Sequence, residues 1–150
     1  MKKIFIPILL PLLLLVFALS KAGAHCEIPC GIYDDEMRIT MIAEHITTIE
    51  KAMKFIIDLE GQKPINHNQI IRWVMNKDHH ADEIQHIVTQ YFMTQRIKLD
   101  AKKYNKKLTL LHQMLIYAMK CKQSTDLSHA GTLRSLLEKF RNLYFKNAHK

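Results

Sequence analysis

Apolar residues recur in steps of three and four along four stretches of this chain. The first stripe is Ile39, Ile42, Ile46, Ile49, Met53 and Ile56, which predicts an amphipathic helix of about two dozen residues. Asp34 or Asp35 can cap its start, and Glu36 suits the positive first turn. Glu60-Gly61 is expected to end it, with Gly61 as a left-handed cap and Pro64 preventing continuation. Asn66 or Asn68 opens a second stripe. It begins with Ile70, Ile71, Val74 and Met75, then resumes after a polar stretch with Ala81, Ile84, Ile87, Val88, Tyr91 and Phe92. That pattern predicts one long helix to about Ile97, bent near Asn76 to His80, or two shorter helices in its place.

A lysine-rich connection from Lys98 to Lys107 follows. Leu108, Leu111, Leu115, Ala118 and Met119 then mark a third helix. Gln123-Ser124-Thr125-Asp126 reads as a turn with a capping residue. Leu127, Leu133, Leu136, Leu137, Phe140 and Leu143 mark a fourth helix reaching almost to the end. No window alternates with period two for long, so no strands are predicted. Four amphipathic helices with short links imply an all-α protein, an antiparallel four-helix bundle over residues 34–150. The methionines at helical spacing read as core filler.

The pattern differs before residue 34. Lys2 and Lys3 precede an uncharged apolar run from Ile4 to Leu19, and Ser20 to Ala24 is short and mostly small. These are the three regions of a cleavable secretory signal, residues 1–24, with the cut after Ala24 by a signal or maturation peptidase. The apolar run is shorter than the ~20 residues a membrane span needs, and Pro7 and Pro11 interrupt it. An uncleaved anchor is the competing reading. A lipid-anchored protein does not fit, because His25 stands where a small residue would precede the cysteine. The expected location is therefore exported, periplasmic or secreted, with the membrane involved only through the export signal.

Cleavage would remove Lys2, Lys3 and Lys21 and no acid, so the net charge falls from +8 to +5 over one domain's worth of chain. Moderate positive charge attracts small anions. It is too dispersed to imply nucleic acid, with no long Lys/Arg run and no interleaved aromatics. The lysines read as solvated helix faces.

The cut would also make His25 the first residue and place a free amine, an imidazole and two thiols within six residues, His25 to Cys30. The bland reading of Cys26 and Cys30 is a small disulfide loop, with Cys121 left over. The chemical alternative is a metal hook at residues 25–33. The His25 amine and the Cys26 backbone nitrogen can close one chelate ring and the Cys26 thiolate a second. Cys30 returns from a turn that Pro29 stiffens and Gly31 permits. Two nitrogens and two sulfurs in a near-planar set favour Ni(II) or Cu(II) over zinc, with the His25 ring free to rise as an axial ligand. Anionic amide and thiolate donors would bring a Ni(II)/Ni(III) couple within reach.

The nine residues His25-Cys26-Glu27-Ile28-Pro29-Cys30-Gly31-Ile32-Tyr33 match every fixed position of the motif His-Cys-x-x-Pro-Cys-Gly-x-Tyr. In this the chain resembles the nickel-containing superoxide dismutases, and the resemblance covers residues 25 to about 147. It implies dismutation of superoxide to dioxygen and hydrogen peroxide, one nickel ion per subunit and a homohexamer of four-helix subunits. It also implies ligands from His25, Cys26 and Cys30, with Tyr33 over the open face of the metal. More distantly, Tyr91-Phe92 resembles a Tyr-Phe pair late in the second long helix that gives the family a second tyrosine near its site. Arg72, upstream of His79-His80, resembles an arginine that reaches the hook histidine of a neighbouring subunit. A glutamate that some members carry early in the first helix is replaced by Thr40 or Met41.

Two further constellations carry less. Glu83-Ile84-Gln85-His86 fits the Glu-x-x-His of di-iron bundles, but such a site needs two copies and two more glutamates. His79 and His80 are neighbours on a helix, point to different faces and read as surface residues. An exported metal carrier using the same chelate without turnover is the alternative to the enzyme.

Overall fold

The computed structural model describes residues 34–146, so the signal, the hook with Tyr33 and the last four residues lie outside the described part. The described residues are helical with no strand, and none of their helices is long and apolar enough to cross a membrane. Helix α1 is Asp35–Glu60 and α2 is His67–His86, which continues as a π-helical segment, π1, over Ile87–Arg96. Helices α3 (Tyr104–Gln123) and α4 (Leu127–Phe145) complete the fold.

Local chemistry sets most of the boundaries. Asp34 caps α1, its Oδ1 accepting from the Met37 N–H at 2.7 Å. Asn66 caps α2 and Asp126 caps α4 in the same way, accepting from Gln69 and Ser128. Each such cap stabilises a helix by about 1 kcal/mol. Gly61 is not the left-handed cap its position suggests: its φ is −78°. The last turn closes with the Gln62 N–H donating to the Leu59 carbonyl at 3.2 Å, a tightened turn that keeps Gly61 right-handed. Helix α3 starts four residues before its first apolar stripe position, Leu108. Lys103, at φ 59°, makes the left-handed step into it.

Contacts run antiparallel between successive helices. Asp35 meets Tyr91, His45 meets His80, and Phe55 stacks on Trp73, so α1 and α2 run in opposite directions. Gln85 reaches the Leu115 carbonyl while Lys77 reaches that of Cys121, which sets α3 against α2. Lys107 lies over the Tyr144 ring and Tyr117 meets His129, setting α4 against α3. Arg141 pairs with Glu36 and Arg134 with Glu50, which closes α4 onto α1. The starts of α1 and α3 and the ends of π1 and α4 therefore share one end of the bundle.

The stripes fill most of the core as their spacing predicts, although Leu108, Leu115 and Leu143 are half-buried and Met119 and Leu127 are exposed. Ile39, Ile42, Ile46, Ile49, Met53 and Ile56 are all buried, as are Ala81, Ile84, Ile87, Val88, Tyr91 and Phe92. Leu111, Leu133, Leu136, Leu137 and Phe140 join them. Full burial of such a side chain is worth about 1.5–3 kcal/mol. The methionines divide: Met53 and Met114 are core, but Met37, Met75 and Met119 are exposed. Two lysines break the expectation of solvated faces. Lys77 is buried because its ammonium donates to the Cys121 and Lys122 carbonyls at 2.7 and 2.6 Å, capping the end of α3. Lys107 is buried under Tyr144.

The second stripe departs from expectation twice. Helix α2 runs unbroken through Asn76 to His80, and its hydrogen-bond pattern changes only later, at π1. And Ile71 and Met75 face solvent, at 58 % and 67 % exposure. Lys77 marks where α3 ends against α2, so the ten residues of α2 before it have run out of that partner.

Candidate functional site

The chain leaves α1 through Asp34 towards Tyr33, so the residues around the first turn of α1 form the end of the bundle nearest the hook along the chain. Asp35 organises this end. Its Oδ1 accepts from the Tyr91 hydroxyl at 2.6 Å and its Oδ2 from the Tyr144 hydroxyl at 2.7 Å. Arg96 donates to the Tyr91 oxygen at 2.9 Å. Its Nε lies 2.9 Å from Asp35 Oδ1, an ion pair whose N–H is not aimed along the contact. Arg38 and Arg96 both lie over the Tyr91 ring, at 4.8 and 4.7 Å from its centre. Burial, with the Asp35 carboxylate beside it, raises the Tyr91 phenol above its ordinary range and does the same to Tyr144. The hydrogen bond to Tyr91 raises Arg96 further. Tyr91 is thus held as a neutral phenol that donates its hydrogen bond to Asp35.

The same end gathers positive charge. A cleft of about 350 Å³ between the start of α3 and the end of α4 is lined by Lys103, Lys106, Lys139 and Lys146 with Leu110 and Asn142. Burial and the nearby Lys103 lower the Lys107 ammonium.

The residues singled out in the sequence separate clearly. His25, Cys26, Cys30 and Tyr33, with the Ala24 cleavage position, lie outside the described residues. Tyr91 is buried, and its hydroxyl bonds to Asp35, which follows Tyr33 by two positions in the sequence. Arg72 is exposed near the start of α2, 19 residues from Tyr91 and so roughly 25–30 Å away at 1.5 Å per residue. Within one chain the structure does not bring Arg72 and Tyr91 together. Thr40 is exposed, its hydroxyl donating to the Glu36 carbonyl. His86 of the Glu-x-x-His run is exposed. His79 is exposed as expected, but His80 is half-buried against His45, their Nδ1 atoms 2.7 Å apart.

Asp35, Arg96 and Tyr144 were not visible as site residues in the sequence. Asp35 reads there as a capping alternative. The Tyr91–Arg96 spacing of five has no meaning on an α-helix.

Among the described residues no group of three or more His, Cys, Asp or Glu side chains could hold a metal ion. Cys121 is fully buried, and burial pushes its thiol up to about 11, which suits a core residue and not a thiolate ligand. The remaining thiols of the chain are Cys26 and Cys30, beside His25. A family model described as nickel-containing superoxide dismutase matches residues 20–148. The chain belongs to the nickel-containing superoxide dismutase family. No curated protein and no solved structure matches it. As a nickel-containing superoxide dismutase the chain is an oxidoreductase with a nickel cofactor, and its donor set fits that metal: thiolates, an amine and an imidazole are ligands nickel accepts.

Proposed function

We propose that the chain is exported, cut after Ala24, and dismutes superoxide at a nickel hook formed by His25, Cys26 and Cys30. The carrying observation is the run His25 to Tyr33, complete to the motif and immediately behind a small-residue cleavage signal, inside the stretch that the family model matches. The His25 amine and ring, the Cys26 backbone nitrogen and thiolate and the Cys30 thiolate would hold the metal. When bound, nickel supplies a one-electron couple that takes an electron from one superoxide and gives it, with two protons, to another, yielding dioxygen and hydrogen peroxide.

The protein's own residues serve that reaction in three ways. Cleavage frees the amine, which in the precursor is a peptide nitrogen. Tyr33, which follows the ligand residues in the motif, would order water at the metal and exclude larger anions. The lysine-lined cleft and the arginines around Tyr91 give this end of the bundle a positive field, which speeds the approach of a small anion. Assembly as a homohexamer is supported by the apolar surface of the α1–α2 hairpin, where Phe55, Ile57, Ile71 and Met75 are exposed. Such assembly is also how Arg72, remote from Tyr91 within one chain, would come to act at a hook.

An exported nickel carrier would use the same chelate without turnover. Catalysis separates the two. Nickel-loaded mature protein is expected to consume superoxide over many cycles, and Cys30→Ser to abolish both metal retention and activity. A mature chain isolated with a Cys26–Cys30 disulfide and no metal, by intact mass, would overturn the proposal. Stoichiometric binding without turnover would leave only the carrier.

A further inference from the structure

Turn tips are ordinarily polar residues, proline or glycine. The connection from π1 to α3 departs from that. Buried Ile97 anchors its start, and the Ala101 N–H closes a turn onto the Lys98 carbonyl at 3.0 Å. Leu99 lies inside that turn and is 86 % exposed, the most exposed large apolar side chain among the described residues. A second turn follows at once. The Tyr104 N–H donates to the Ala101 carbonyl at 3.0 Å, with Lys102 and Lys103 between them. Lys103 there takes the left-handed φ of 59°, which glycine or asparagine adopts more readily. Backbone bonds close both turns, so Leu99 and its neighbouring lysines are held out on a defined frame.

Positive charge surrounds this leucine. Lys98, Lys102 and Lys103 flank it along the chain, and the cleft of about 350 Å³ adds Lys106 from α3 and Lys139 and Lys146 from α4. All six are exposed, and none makes an ion pair among the described residues. The nearby acids are engaged elsewhere. Asp34 caps α1, Asp35 pairs with Arg96, Glu36 pairs with Arg141, and Glu138 also acts on Arg141. Asp100 is the one acid of the connection itself. Helix α3 starts with no side-chain cap and no acid in its first turn, where Lys106 stands instead. A helix start favours negative charge, so these lysines work against the helix dipole. Nothing in the described chain supplies the anion that this end calls for.

A soluble anion would engage the lysines and leave Leu99 in water. An anionic lipid surface uses both. The ammonium groups meet headgroup phosphates, while a leucine and the apolar lysine stems enter the interface. Leu110 and Leu143 line the cleft between the lysines and add to its apolar character. We propose that this end of the bundle is a docking surface for an anionic phospholipid membrane, with Leu99 as the inserted side chain and the lysines around it as headgroup contacts. Every residue involved belongs to the bundle, so docking would persist once the export signal is gone.

The test is co-sedimentation of mature protein beginning at His25 with two kinds of vesicle, phosphatidylcholine alone and phosphatidylcholine mixed with phosphatidylglycerol. The mixed vesicles are expected to carry the protein down and the neutral ones to leave it in solution. Added salt should release it, because screening weakens the attraction. One lysine near an anionic surface is worth about five-fold in partition, so Lys106→Gln combined with Lys139→Gln should lower binding about 25-fold. Leu99→Ser should lower it about ten-fold at unchanged charge. These positions are exposed, so the helical circular dichroism should stay that of wild type. Fluorescence identifies the face. Leu99→Trp should add a blue-shifted emission on the mixed vesicles. In the wild type, Trp73, stacked on Phe55 at the opposite end, should keep its emission.

No binding to the mixed vesicles, equal binding to both kinds, or wild-type binding by Leu99→Ser would overturn the proposal. A shift of the Trp73 emission in the wild type would move docking to the opposite end and overturn it as well. Inorganic triphosphate bound tightly in solution, with no binding to vesicles, would assign the lysines to a free phosphate instead.

Discussion

At one end of the bundle Asp35 is shared by Tyr91, Tyr144 and Arg96, and among the described residues there the only large apolar side chains in solvent are Met37 and Leu99. At the other end Phe55, Ile57, Ile65, Ile71 and Met75 are all exposed, while Phe55 stacks on Trp73 at 4.6 Å. The first end spends polar groups that are costly to bury unless each is satisfied, and satisfies them across three elements. That arrangement specifies one geometry. The second end leaves apolar area uncovered because α2 extends past the end of α3. That arrangement specifies little within one chain and suits a surface awaiting a neighbour. The contrast locates precision at the first turn of α1 and association at the opposite end of the bundle.

The largest expected effect separates the hook from the bundle altogether. Protein beginning at Ala24 has a peptide nitrogen where the ligand amine should be. It is expected to bind nickel poorly and to have little dismutase activity, while its metal-free melting temperature matches that of protein beginning at His25. Metal analysis and melting on the two proteins check this. Full activity of the Ala24 protein would remove the amine from the ligand set.

The second test strikes each end in turn. Phe92 is fully buried and packs edge-on against Phe140 and Tyr144, at 5.0 and 5.7 Å. Phe92→Ala should cost about 3–5 kcal/mol by denaturant unfolding. Met75, 67 % exposed, should cost under about 0.5 kcal/mol as Met75→Ala in the isolated subunit. Met75→Lys should instead lower the sedimenting mass, since a charge placed in a subunit contact must be desolvated. Equal costs at Phe92 and Met75, with no change in mass, would erase the distinction between the two ends.

How much of this could be read in the sequence follows the range of the interactions. Stripes at three- and four-residue spacing report burial against any neighbour, so Ile39 to Ile56 and Leu133 to Phe140 were legible. Caps act over three residues, so Asp34, Asn66 and Asp126 were legible too. The π-helix was not: Ile87, Val88, Tyr91 and Phe92 satisfy the α period, and what distinguishes π1 is a contact with Asp35, 56 positions away. Nor was the burial of Lys77, which depends on where α3 happens to end. The hook motif is the opposite case. Its chemistry is written in nine consecutive residues and owes nothing to the bundle for its recognition.

The smallest expected effect lies midway between the ends, at the His45–His80 pair on α1 and α2. With Nδ1 atoms 2.7 Å apart, one ring donates and the other accepts, and the buried His45 Nε2 has no partner among the described residues. His45 faces His80, His79 and Glu83 from α2 and has Glu44 on its own helix. Burial is the largest cause lowering the His45 pKa, followed by His80, and Glu83 only partly opposes them; burial also leads for His80. Both folded-state values therefore lie below the 6.5 that the unfolded chain approaches. The unfolded state takes up protons first as pH falls, so the pair's contribution is complete above about 6.5 and is lost as pH drops through the lowered folded values. Melting of metal-free mature protein should fall on the order of a few degrees between about pH 7.5 and pH 5. In His45→Gln that slope should flatten, because one imidazole is gone and its partner is freed. An identical slope in wild type and His45→Gln would assign the acid sensitivity to groups other than this pair.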